Sequence, residues 1–169
     1  CKNRSLNQMK KSIILGLTVL STSLVANATD NQWDAYYQKA SQAQQQIGAG
    51  KLKEASAAAK ELVTISKSLL PAVVAKKPIC EAYLSAAVKA ADEMLTISVD
   101  EIERDYHADG KLPPVKDAAC YHAKDLLVHP ATVVVLAANQ THDQKTKEQM
   151  HHEIEEVLEH FGQVKQLAQ

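Results

Sequence analysis

Every segment beyond the N-terminal leader reads as helix, and the chain is expected to be all-α: an antiparallel four- or five-helix bundle with one disulfide. Three observations carry that expectation. Apolar residues recur at three- and four-residue spacings in segment after segment, which is the period of a helix face. The single run compatible with a strand, Val133–Leu136, has no alternating segment to pair with. Two cysteines, Cys80 and Cys120, remain after the leader. In an oxidising compartment two such cysteines pair, and closing a loop of roughly 41 residues is worth about 4 kcal/mol in the chain-entropy model.

The leader is the first element in order. Met9-Lys10-Lys11 is a basic start, Ser12 to Val25 is mostly apolar, and Ala26-Asn27-Ala28 has the small-x-small form of a signal-peptidase site. This pattern predicts a secretory signal over residues 9–28, cleaved after Ala28. The apolar run is shorter than the roughly 20 residues a membrane span needs, so no transmembrane segment is expected after cleavage. Residues 1–8 read as untranslated upstream sequence. The alternative is that Cys1 is a lipidated cysteine. Residues 29–169 then form one helical domain in the periplasm or outside the cell.

Asp30 is placed to cap a first helix through Gln46, with Trp33, Tyr37, Ala40 and Ile47 as its apolar stripe. Gly48-Ala49-Gly50 breaks it. A second helix follows from Lys51, with Leu52, Ala55, Ala59, Leu62, Ser66 and Leu69 on one face, and Pro71 ends or kinks it. Its Gly50–Ala59 stretch, Gly-Lys-Leu-Lys-Glu-Ala-Ser-Ala-Ala-Ala, lies in a hairpin from Ile47 to Leu70. That hairpin resembles the last two helices of the cytochrome b562 family and, more loosely, a tetratricopeptide helix pair. The resemblance implies a helical hairpin. In the cytochrome a haem-ligating histidine stands near the end of the last helix; the matching position here is Leu70, so the resemblance brings no haem ligand.

A third helix is predicted from Ile79 to His107, about 40 Å long at ~1.5 Å per residue, and stopped by Asp109-Gly110. Asp117 caps the helix carrying Cys120. Pro130 is expected to open a separate short buried helix through Ala138. Thr141 and Gln144 have the form of a capping box for a last helix to about Leu167. That helix has its seam at Met150, Ile154, Val157, Phe161 and Val164.

Two histidine constellations stand out. His122 and His129 lie seven residues apart, nearly two turns, with Leu126 between them and Asp125 on the neighbouring turn. Histidines flanking a bundle core suit a transition metal or a b-type haem. Two ligands are too few for tight binding, so His107, His151 or Asp125 is expected to supply a third. His152, Glu156 and His160 align at i, i+4 and i+8, but their stripe faces away from the Met150–Phe161 seam and reads as a solvated charged face. Met94 and Met150 lie on apolar stripes and read as core.

The formal net charge of the whole chain is −1. Loss of Lys2, Arg4, Lys10 and Lys11 with the leader makes the remainder more acidic. No basic stripe is present, which argues against nucleic acid or anionic lipid as a partner. There is no Gly-x-Ser-x-Gly, no His-Glu-x-x-His and no phosphate-cradling glycine loop, so the chain reads as a binder and not an enzyme. The leading expectation is an exported bundle holding zinc, copper or haem b through its histidines. The alternative is a periplasmic stress or adaptor protein that grips a partner polypeptide without a cofactor.

Overall fold

The structure is a computed structural model and describes residues 22–139 and 141–169. The basic start of the expected leader, at Met9–Lys11, and most of its apolar run lie outside the described residues. Among those described there are six α-helices and no strand. They are α1 (Thr22–Gly48), α2 (Leu52–Lys76), α3 (Glu81–Met94), α4 (Val99–Ile102), α5 (Ala118–Asn139) and α6 (Gln144–Leu167).

Four long helices make the bundle. α1 packs on α2 and α6, and α5 packs on the same two from the opposite corner. The short α1–α2 and α5–α6 connections force antiparallel neighbours. α3 lies in the groove between α2 and α5 as a fifth helix. Ala40 and Ala43 on α1 and Ala55, Ala58 and Ala59 on α2 are all buried, and these small side chains let the two backbones approach closely. Trp33 and Tyr36 close one end against Phe161, with the Tyr36 and Phe161 rings stacked 5.8 Å apart. Met94 and Met150 are fully buried in the core, as their stripes predict. No helix among the described residues is long and apolar enough to cross a membrane.

Cys80 and Cys120 are disulfide-bonded. The bond ties the start of α3 to the start of α5, so both helices leave the same end of the bundle. Asp117 caps α5 as expected, accepting a hydrogen bond from the Ala119 backbone N–H at 2.9 Å.

Several element boundaries differ from the sequence expectation. α1 begins at Thr22, before Asp30, and α2 continues through Pro71 to Lys76. The long third helix is broken. It stops at Met94 and restarts after Ser98, whose hydroxyl accepts from the Glu101 N–H while the Glu101 carboxylate accepts from the Ser98 N–H. This capping box satisfies a new helix start, and the segment then widens into a π turn over Glu103–His107. The last helix is capped by Asp143, not Thr141: the Asp143 carboxylate accepts from the Thr146 N–H at 2.8 Å.

Pro130 does not start a helix of its own; α5 runs through it. A proline there removes the N–H that the Leu126 carbonyl would accept. Two hydroxyls replace it. Tyr36 Oη and Ser66 Oγ each donate to Leu126 O at 2.6 Å. The carbonyl that the proline orphans is thereby satisfied from α1 and α2, and α5 stays continuous past His129.

Candidate metal centre

α5 and α6 share one buried face, and polar residues collect on its flank. His122, Asp125 and His129 project from α5, one turn after another. Glu153, Glu156 and His160 project from α6 at i, i+3 and i+7. The π turn lays His107 over the top. Among the described residues, three groupings bring ligand atoms within 4.8 Å of one another: His107–Asp125–His129, His122–Asp125–His160 and His129–Glu156–His160.

The π turn that carries His107 is held from several sides. Asp109 has a left-handed backbone, with φ 63°. At Gly110 a Cβ would stand 2.5 Å from the Arg104 carbonyl oxygen, so only glycine lets the chain pass. Asp109 accepts from Tyr83 Oη at 2.6 Å and lies 3.2 Å from Lys124 Nζ. Lys124 is fully buried and also donates to the His107 carbonyl at 2.8 Å. Its ammonium sits 3.8 Å above the Tyr121 ring, a cation–π contact. Burial, aided by the nearby Asp125 charge, pushes the Tyr121 hydroxyl up to about 12.

The rings are close. His122 and His160 have centroids 4.3 Å apart, His107 and His129 5.1 Å, and His129 and His160 6.4 Å. His129 Nδ1 stands 2.7 Å from Glu153 Oε2, and His107 Nδ1 stands 2.9 Å from Glu103 Oε1. A carboxylate only accepts, so each Nδ1 carries a proton, and in the neutral ring Nε2 is then the lone-pair donor. A histidine oriented by an outer carboxylate is the usual setting of a metal ligand.

The other side of each ring is unpartnered. His122 Nδ1, His129 Nε2, His160 Nδ1 and both oxygens of Asp125 are buried without a hydrogen bond. These are five of the six such side-chain atoms among the described residues; the sixth, Gln46 Oε1, lies elsewhere. Asp125 Oδ2 is 3.7 Å from His160 Nδ1, and Oδ1 is 3.4 Å from Lys124 Nζ without hydrogen-bond geometry. Buried polar groups are nearly always bonded, so five open atoms on four residues of one cluster are a strong departure from that rule.

The electrostatics separate two of the rings. Burial works against a charged His129, but Glu153, with Asp125 and Glu156, outweighs it and holds the ring above its ordinary value. Burial pushes His160 below its ordinary value, and the neighbouring His122 and His129 reinforce that against the pull of Asp125. That favours the neutral ring of His160, in which one nitrogen has a lone pair to offer.

Of the residues singled out in the sequence, His107, His122, Asp125 and His129 come together. His151 does not; it is half-exposed on α6 and pairs with Glu155 at 3.3 Å. The His152–Glu156–His160 stripe divides. His152 stays at the surface, whereas Glu156 and His160 turn into the cluster. Glu153 went unremarked in the sequence; the signal that marks it is its place one residue before a seam position, which it shares with Glu156 and His160. A cleft of about 340 Å³ between the start of α5 and the end of α6 reaches the cluster at His122, with Gln163 and Val164 on its far wall. No protein-family model, curated protein or solved structure matches the chain, so the reading of this centre rests on its own residues.

Proposed function

We propose that this is an exported transition-metal-binding protein with His107, His122, Asp125, His129 and His160 as its donors. The observation that carries the reading is the set of five buried, unbonded atoms on residues that the fold groups at ligand distance. Leaving such groups unbonded costs about 1–3 kcal/mol each, and a cation that takes their lone pairs repays that cost. Neutral imidazole with one carboxylate suits zinc or copper. Lys124, Glu153 and Glu156 ring the donors with polar groups, which favours a bare ion over haem b, whose porphyrin needs an apolar slot. The leader and the Cys80–Cys120 disulfide support an oxidising, exported location. The absence of a nucleophile motif in the sequence supports binding over turnover.

The test is the metal content and visible spectrum of the full chain recovered from the periplasm, followed by thermal melts with and without Zn(II). We expect stoichiometric metal, no Soret band, and a Tm increase on the order of 10 °C at about a hundredfold excess over Kd. The increase should vanish with a chelator. Metal-free protein whose Tm ignores both Zn(II) and Cu(II) would overturn the proposal and leave the partner-binding alternative.

A further inference from the structure

We infer that the cluster is a two-ion centre in which the Asp125 carboxylate bridges the ions. This rests on the metal-binding reading above and extends it to nuclearity. The groupings themselves are the first reason. His107 and His122 occur in none together, so no single ion position serves all four histidines. Asp125 is the member shared between the grouping that holds His107 and the one that holds His122.

Asp125 is also equipped for that place. It is 1% exposed, and neither oxygen is hydrogen-bonded. A carboxylate binding one ion through one oxygen leaves the second to be satisfied by something else. Here Lys124 Nζ approaches Oδ1 to 3.4 Å without bonding it, and two histidine pairs are grouped with the carboxylate. The pairs differ in kind. His107 and His129 each turn Nδ1 to an outer carboxylate, Glu103 or Glu153, and so offer Nε2. In His122 and His160 the open buried atom is Nδ1. Two like-oriented pairs about one carboxylate make two positions, each with two nitrogens and one oxygen. Ions bridged in this way stand about 3.5–4 Å apart in known two-metal sites. The cleft at His122 leaves room for water to complete the position on that side.

The competing arrangement is one ion on His129, Glu156 and His160, which takes a histidine from each pair. Calorimetric titration of the chelator-stripped full chain with Zn(II) separates the two. The two-ion centre predicts two Zn(II) per wild-type chain, one in His107→Ala, one in His122→Ala and two in Glu156→Gln. Asp125→Asn should hold at most one. In the Co(II)-loaded protein, coupling through the carboxylate should bring the electron paramagnetic resonance intensity of the two-ion form below twice that of the one-ion form. One Zn(II) per wild-type chain overturns the two-ion inference and leaves the metal-binding proposal standing. No binding at all overturns both. Since the wild-type stoichiometry is read on the native chain, a variant that fails to fold does not blur the result.

Discussion

Asp105 and Asp125 are both buried carboxylates, and they are treated in opposite ways. Asp105, on the π turn, is 5% exposed and saturated: Arg104 Nε and Nη2 donate to its two oxygens at 2.7 and 2.8 Å, and Lys111 Nζ stands 3.1 Å away. Asp125, on α5, is 1% exposed and has no hydrogen bond at all. A bidentate arginine fork is how a fold retires a carboxylate that it uses for structure. Four imidazoles around an unbonded carboxylate leave lone pairs available to a third party. The difference teaches that burial alone does not mark a site. What marks it is burial with the bonding capacity left open.

The disulfide links these two regions, and cutting it is expected to have the largest effect. The segment between Cys80 and Cys120 carries Asp105 and His107; Asp125 and the other donors lie beyond it on α5 and α6. Replacing both cysteines by serine should lower stability by about 2–5 kcal/mol, read by denaturant unfolding. Zn(II) affinity should fall as well, because His107 then rides on a segment held to α5 only by the Lys124 and Tyr121 contacts to its carbonyl. Asp105 should be untouched, since its partners Arg104 and Lys111 are local. Loss of stability with full Zn(II) affinity would show that the π turn holds His107 without help from the crosslink.

The next contrast lies on α6. His160→Ala removes a proposed ligand and should weaken Zn(II) binding by more than the roughly 10–100-fold that loss of an outer-shell partner costs. Glu153→Gln removes such a partner from His129 and should fall within that range. His152→Ala, on the exposed side of the same helix, should bind Zn(II) like wild type. Equal affinity in the His160→Ala and His152→Ala proteins would return the whole stripe to solvent, where the sequence alone had put it.

That misplacement has a physical origin. The helical class was legible because Met150, Ile154, Val157, Phe161 and their counterparts repeat at helix period, and the cysteine pair was legible from its number. On α5, His122, Asp125 and His129 were legible from turn arithmetic. On α6 the same arithmetic locates the centre of the buried face but not its width. Glu153, Glu156 and His160 each precede a seam residue by one position, about 100° around the helix, and so lie together along the seam's edge. Only the packing partner decides whether that edge is wet. Here α5 covers it. The π turn was hidden for a different reason: the Ser98–Glu101 capping box lies inside a run whose apolar spacing continues through it. At Pro130 the local rule said helix start, and tertiary contacts overrode it, since Tyr36 and Ser66 supply the bonds the proline removes.

The smallest expected effect concerns Asp105 and completes the comparison. The Arg104 fork, with Lys111 beside it and burial opposing, holds its carboxyl well below the usual carboxylate range, at about 2. Its unfolded value is about 3.9. A depressed folded value means stabilisation that is present in full above about pH 5 and is lost as the pH falls toward about 2. Thermal melts of wild type and Asp105→Asn should therefore differ by a constant amount from pH 5 to pH 7, with the wild type higher, and converge between pH 4 and pH 2. Asp117 and Asp143 are also held below the usual range, by Lys77 and by the Thr146 N–H, respectively, as the main causes. Both residues remain in the two proteins, so their shared acid sensitivity cancels in the difference. Metal-free Asp125→Asn should behave otherwise, equalling or exceeding the wild-type Tm at neutral pH, because no hydrogen bond is removed and Lys124, which loses only its 3.4 Å approach to Asp125, keeps the His107 carbonyl and Asp109. A Tm loss in Asp125→Asn as large as that in Asp105→Asn would mean that the two carboxylates do the same structural job, and the contrast between them would fail.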